Sequence, residues 1–281
     1  METKYITKAS GEREAFNIKK FQRSLYKSGA PQSLIDELTQ EVLQAPDLHS
    51  TRDIYNFAFR RLKQAKPAYA ARYNLKYALS ELGPSGFPFE RFVAEIFKEQ
   101  GYETQVDQTL QGFCVTHEVD VIFTKGTQRN LVECKYHQPH LKANVKVPLY
   151  IKARFDDIEK KYQSTHLPEH KIDHAWIVTN TKFTSDAITY AQCVRISLLS
   201  WSFPEGGSLA DLVEKLQFHP ITSLTSLSTK QKQQLIEQGV VLCKDISSHT
   251  NALRNLGFSN PKIERIVEEA HNVCALTPPP Q

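Results

Sequence analysis

Across residues 89–201 the period of the apolar residues changes in a fixed order, and that order leaves few folds open to the chain. Phe92, Val93, Ile96 and Phe97 recur on one face of a helix expected over 89–100. Shorter alternating runs near 102–108, 113–123 and 130–136 predict three strands, the last two joined by the turn TKGTQRN. A helix over 148–163, a buried strand in DHAWIVTN at 173–180, a short helix capped by Thr184 and a strand in VRISLLSW at 194–201 follow. Strand, helix, strand with apolar strands is the pattern of a crossover between parallel strands. A mixed sheet flanked by helices, within an α/β multidomain protein, is the expectation.

GPSGFP at 83–88 sets this stretch off from a more helical one before it. There, YIT at 5–7 and a turn at Ser10-Gly11 predict a small hairpin, followed by helices over 18–27, 32–44 and 67–82. Another helix starts at Ser50-Thr51-Arg52-Asp53, whose serine and aspartate carry the capping-box pattern ahead of Ile54, Phe57, Ala58 and Leu62. Beyond about residue 224 short helices alternate with turns at Gln238-Gly239 and Leu256-Gly257, and Pro261 opens the last of them. TPPPQ at the end is expected to be disordered. The expected domains are 1–84, 85–218 and 219–281.

A net charge of +4 and a pI near 8.7 permit contact with a polyanion without requiring it. The five cysteines, at 114, 134, 193, 243 and 274, form no CxxC pair and are too scattered for a disulfide framework, which favours a reducing compartment. No apolar run approaches the ~20 residues of a membrane span, and the first residues lack a signal-peptide core. A cytoplasmic protein is expected.

The chemistry is concentrated in HEVDVIF at 117–123 and LVECKYH at 131–137. On a strand Asp120 shares a face with Glu118, and Glu133 with Lys135. A hairpin in suitable register brings two or more carboxylates and a lysine together, the set that metal-assisted phosphodiester hydrolysis uses. From alternation alone, a solvated sheet face with cross-strand ion pairs is the commoner outcome. His137-x-x-His140 invites a zinc reading, but no cysteine or third histidine completes the set. Arg154, Lys160 and Lys161 on the following helix are candidates for phosphate contact, or simply a solvated helix face.

Asp120, a dozen residues, then Glu133-x-Lys135 resembles the signature of the PD-(D/E)XK nucleases. FPFERFVAEIFKEQGYET, ECK and IVTNTKFTSDAITYA are similar to the opening helix, catalytic strand and following strand-turn-helix of the Mrr-type restriction endonucleases, a resemblance covering about residues 86–202. It implies an αβββαβ core in which Asp120 and Glu133 bind Mg²⁺ or Mn²⁺, Lys135 orients or activates water, and Glu90 reaches the site from the opening helix. The family often has Gly-rich sequence before its aspartate and Gln before its Cys-Lys, where this chain has His117-Glu118 and Glu133. Glu118 is expected as an additional ligand, and His117 to point the other way. The implied activity is that of a type IV restriction-like endodeoxyribonuclease, in defence or DNA repair.

YITKASGEREAFNIKKFQRSL, with Ser50-Thr51-Arg52-Asp53-Ile54 and Ala71-Arg72-Tyr73, resembles an ATP-cone, a small α+β nucleotide-sensing domain. It implies ATP or dATP as an allosteric ligand near Lys8, Gly11, Glu14, Asn17, Lys20 and Thr51. The family's usual Lys-Arg-Asp-Gly turn is Lys8-Ala9-Ser10-Gly11 here, so an arginine is missing. The all-α C-terminal segment resembles helix-hairpin-helix modules, which hold DNA through backbone amides; a protein-contacting role fits it equally. DNA and a nucleotide effector are the expected partners, and a homodimer is expected because a double-strand cut in one encounter needs two sites. The competing function is a non-catalytic DNA- or nucleotide-binding regulator that uses a nuclease fold as a platform.

Overall fold

The computed structural model describes residues 4–8, 11–82, 87–138, 141–168 and 171–276. Ser10, His140, the start of the GPSGFP segment and TPPPQ lie outside them. The chain divides into two compact units, one formed by Met1–Leu75 with His219–Gln281 and the other by Lys76–Phe218.

The first unit opens with a hairpin of β1 (Tyr5–Thr7) and β2 (Arg13–Ala15), in which Gly11 takes φ 83. Four helices follow: α1 (Ile18–Lys27), α2 (Gln32–Gln44), α3 (Thr51–Ala65) and α4 (Pro67–Tyr73). Ser50 and Asp53 form the expected capping box at α3, each satisfying a backbone N–H of the other. The helix expected over 67–82 is two, α4 and α5 (Leu75–Leu79), because Asn74 turns the chain between them while its side chain accepts a hydrogen bond from Tyr55. Ile6, Phe21, Leu25, Ile35, Leu38, Ile54 and Leu62 fill the core beneath the hairpin.

The sequence reading assigns the first and last segments to separate modules, whereas here they share one unit. The device that joins them is Arg72, buried at 5% exposure, whose Nη1 donates to Val273 O at 3.1 Å and Leu276 O at 2.5 Å. These carbonyls end the last helix, where unpaired C=O groups and the helix dipole favour a cation.

The second unit continues with α6 (Phe87–Glu99), β3 (Glu103–Gln111), β4 (Thr116–Lys125), β5 (Gln128–Lys135), β6 (Lys142–Ala143) and α7 (Lys146–Thr165). It ends with β7 (His174–Thr179), β8 (Lys182–Phe183), α8 (Ser185–Cys193), β9 (Ser197–Leu199) and α9 (Leu209–Leu216). The main sheet has the order β3-β4-β5-β7-β9, antiparallel from β3 to β5 and parallel from β5 to β9. This is the mixed sheet the sequence order predicts. The small parallel pair of β6 and β8 has no sequence signal, since two residues carry no readable period.

Helices cover both faces of the sheet, so its central strands carry apolar residues on both faces. On one face Phe97 of α6 stacks on Phe123 with ring centroids 4.1 Å apart and meets Trp176 edge-on at 5.7 Å. On the other, Ile122, Leu131 and Ile177 pack with Ile151 and Ile158 of α7 and Ala187 and Ala191 of α8. In the first unit α10 (Thr229–Glu237), α11 (Thr250–Asn255) and α12 (Asn260–Ala275) complete the chain, and Gly239 and Gly257 follow α10 and α11 at positive φ. All five cysteines are free thiols, and among the described residues no helix is long and apolar enough to cross a membrane.

Phe97 is 4% exposed and holds α6 to the sheet. Phe97→Ala is expected to destabilise the protein by about 3–5 kcal/mol in urea unfolding followed by circular dichroism. A loss of only a few tenths would contradict this packing.

Candidate active site

The ladder between β4 and β5 runs from Lys125↔Gln128 to Val121↔Val132 and stops there, while β5 goes on pairing with β7 through Cys134↔Val178 and Lys135↔Thr179. Beyond Val132 the backbone N–H of Cys134 donates instead to the Asp120 carboxylate, Oδ2 at 2.6 Å. A side chain thus occupies the acceptor position that the neighbouring strand would supply. Among the described residues, the other Asp120 oxygen accepts no hydrogen bond.

Glu133 is 4% exposed and both of its oxygens face cations. Lys135 Nζ lies 2.5 Å from Oε1, and Arg154 Nη1 of α7 lies 2.6 Å from Oε2. Glu133 and Lys135 share the β5 face turned toward α7, as alternation predicts. Arg154 is therefore not a free phosphate contact on a solvated helix. Its side chain is 10% exposed and committed to Glu133. Lys160 lies over the Phe113 ring at 4.2 Å.

The electrostatics mark a site short of positive charge. Burial first, then the charge of Glu133, pushes the Asp120 carboxyl up to about 6, against the Cys134 N–H, Lys135 and Arg154. Glu90, on the first turn of α6, is pushed up to about 7 by burial and then by Asp120, Asp107 and Glu133, with Lys135 opposing. Four carboxylates therefore feel one another here, and a bound cation would relieve the strain among them. Among the described residues no three or more His, Cys, Asp or Glu side chains are already drawn around a common point. Both oxygens of Glu133 are engaged by Lys135 and Arg154.

Asp107 is the member that sequence reading missed. Its φ is 53, in the left-handed region, and its pairing with Asp120 drops out between Val106↔Val121 and Gln108↔Val119. An aspartate in an alternating polar strand, ETQVDQTLQ, gives no signal of its own, although Asp tolerates this backbone conformation better than most residues.

Glu118 does not join the group. It is exposed, stands opposite Thr109 on β3, and is not among the charges that act on Asp120 or Glu90. The alternation used to place it beside Asp120 does not run through cleanly, for Val119 and Ile122 pack in one core although strict alternation puts them on opposite faces. His117 turns toward α7 and bonds Asp157 through Nε2 at 2.9 Å. Asp157 also accepts from Cys114 N at 2.9 Å and Val115 N at 3.3 Å, and these bonds, the histidine's first, hold its carboxyl well below the usual range. His137 is tied by its backbone to Asn180, and burial lowers its pKa.

In the first unit Lys8 lies 3.1 Å from Glu12 and 2.7 Å from Glu14, both exposed pairs. Asn17 caps α1 by accepting from Lys20 N at 2.9 Å. Thr7 bridges Ser50 and donates to His49 O, so Lys8 and Thr51 each stand next to a residue of that bridge.

A restriction endonuclease family model matches residues 83–202, and the AF1548-like C-terminal family matches residues 219–274. The sheet, its order and the acidic-lysine group where β4 and β5 part therefore belong to a restriction-endonuclease-like domain, the nuclease class that the sequence resemblance implied. An uncharacterised protein of Archaeoglobus fulgidus is 35% identical over 182 residues, 64% of this chain and 99% of the relative. The crystal structure titled protein of unknown function AF1548 matches with a TM-score of 0.57 at 34% identity, covering 69% of this chain and 100% of that one. The chain belongs to the family of these AF1548-like proteins.

Glu90→Gln is expected to raise the thermal midpoint at pH about 8 in the presence of a chelator, and to leave it unchanged at pH about 4. A carboxyl raised from ~4.3 unfolded contributes stability that is complete below the unfolded value and lost as pH rises through about 7. A variant less stable than wild type at the higher pH contradicts the burial and crowding described.

Proposed function

We propose that this chain is a metal-dependent endodeoxyribonuclease that hydrolyses phosphodiester bonds with Mg²⁺ or Mn²⁺. The observation that carries the reading is the placement of Asp120, Glu133 and Lys135 together at the point where two strands of a restriction-endonuclease-like sheet part. The donor set suits a hard divalent cation, since it offers carboxylate oxygens and no thiolate, and burial followed by carboxylate neighbours pushes Asp120 and Glu90 up. Asp120, through its free oxygen, and Glu133 would hold the ion. When bound, the ion supplies charge stabilisation at the phosphate and acidifies water.

The chain's own groups do the rest. Lys135 brings its positive charge to the site, where it would orient the attacking water and offset charge that develops on the phosphate. Glu90, which burial and then the neighbouring carboxylates push up to about 7, reaches the group from α6 and would be a candidate for exchanging a proton there. Cys134 contributes only its backbone N–H, which fixes the Asp120 carboxylate. Defence against foreign DNA or DNA repair is the setting such an activity suits, and a homodimer would allow both strands to be cut in one encounter.

The reading extends to a nucleotide effector, ATP or dATP, at the N-terminal hairpin. Supporting it are the positive φ of Gly11, the neighbouring Lys8 and the nearness of this hairpin to the start of α3 at Thr51. The ion pairs that hold Lys8 are exposed, and such pairs are weak enough for a phosphate to displace.

Plasmid DNA incubated with the protein and Mg²⁺ or Mn²⁺ is expected to be nicked or linearised. Asp120→Ala and Lys135→Ala, folded by circular dichroism, should cleave no more than a no-protein control. Adding ATP or dATP should change the wild-type rate, and Lys8→Ala should remove that response while leaving the basal rate. A folded wild type that binds DNA without cutting it under any metal would instead favour a non-catalytic regulator on a nuclease platform.

A further inference from the structure

Arg154 belongs to no motif named so far, yet its guanidinium is held from two sides, by Glu133 and by Tyr150. Its Nη1 grips Glu133 Oε2 at 2.6 Å, Tyr150 Oη accepts from Nη2 at 3.2 Å, and the Tyr150 ring lies 5.0 Å from Cζ. The Nε–H is buried with no hydrogen-bond partner among the described residues. A guanidinium with an orphaned donor, held in a nearly closed site, is a poor device for stability alone, because an unpartnered buried donor costs free energy. Such local violations concentrate where function overrides packing.

We infer that Arg154 is a positioning residue for the nuclease site: it fixes the Glu133 carboxylate by Oε2, so that Oε1 is the oxygen presented toward Asp120 and Lys135. The planar fork matters here, because guanidinium binds a carboxylate oxygen in a set direction while its other nitrogen rests on Tyr150. Without it, Glu133 keeps a single cation, the Lys135 ammonium, a point charge that either oxygen satisfies. The carboxylate then turns freely between the two. Tyr150, one helical turn before Arg154 and 57% exposed, braces the guanidinium from the outer side.

Charge and position make opposite demands, and this separates the inference from its rivals. Removing a buried positive charge beside the carboxylates leaves the site more negative, so a divalent cation binds no more weakly. Loss of the set carboxylate direction slows turnover. A phosphate-binding arginine behaves differently, weakening DNA binding and its salt dependence when it is removed. A purely structural arginine behaves differently again, with metal binding, activity and thermal midpoint declining together.

The inference rests on the nuclease reading, and the experiment keeps the two apart. Wild type, Arg154→Met and Arg154→Lys are compared in three measurements: Mn²⁺ binding by calorimetry, DNA binding in Ca²⁺, and the cleavage rate at saturating Mn²⁺. Arg154→Met is expected to cut about ten- to hundred-fold more slowly, the range seen when outer partners of metal ligands are lost. Its Mn²⁺ affinity should equal or exceed that of wild type, with DNA affinity unchanged, and Arg154→Lys should recover part of the rate. A variant that keeps the wild-type rate overturns the inference. So does a slow variant whose loss is matched by weaker DNA binding or weaker Mn²⁺ binding. Failure of the nuclease reading shows elsewhere, as a wild type that cuts nothing, and it removes the inference with it.

Discussion

The second unit is organised around one exchange of hydrogen-bond partners, in which the backbone N–H of Cys134 leaves the β4–β5 ladder and takes the carboxylate of Asp120. Had the ladder continued, Asp120 and Glu133 would stand directly opposite each other on one face of the sheet, two like charges side by side, with the Cys134 N–H committed to the neighbouring strand. Because it stops at Val132, the strands part while β5 remains anchored by β7. The gap places a half-buried carboxylate beside a fully buried one. Everything else about the site follows from the cost of that arrangement. Glu133 is tolerable only because Lys135 and Arg154 take its two oxygens, while burial first, and then the neighbouring carboxylates, push Glu90 and Asp120 up.

The scaffold that holds this costly group is conventional. Both faces of the central strands are covered, by Phe97 and its aromatic neighbours on one side and by Ile151 and Ile158 on the other. Rigid apolar layers fix the directions in which Asp120, Glu133 and Arg154 project. The loop before β4 is pinned independently, since Asp157 accepts from Cys114 N, Val115 N and His117. Arg154 and Asp157, three residues apart on α7, thus tie one helix both to the acidic centre and to the strand that carries Asp120.

What the sequence made legible was whatever depends on period. The helix of Phe92 and Phe97, the hairpin strands, the apolar β7 and the cap at Thr184 appear in the expected order, and Glu133 and Lys135 share a face because a strand alternates. Misplaced or unseen features depend on local departures from period or on contacts distant in sequence. Glu118 was placed by an alternation that slips near Asp120, and Asp107 sits in the left-handed region without a glycine to announce it. Arg154 looked like a solvent-facing helix charge because its partner lies 21 residues earlier. Arg72 likewise joins residues 201 positions apart, a closure no local pattern encodes.

On the function proposed above, Asp120 and Glu133 would hold a cation, and without it Lys135 and Arg154 balance the buried Glu133 charge. Diffraction from crystals soaked in Mn²⁺, with anomalous scattering recorded at the manganese edge, tests it directly. The expected result is a peak between the free oxygen of Asp120 and Oε1 of Glu133, with Lys135 displaced from Glu133 and Arg154 still on Oε2. A Mn²⁺-saturated crystal with no peak there, and with Lys135 still paired to Glu133, would contradict it.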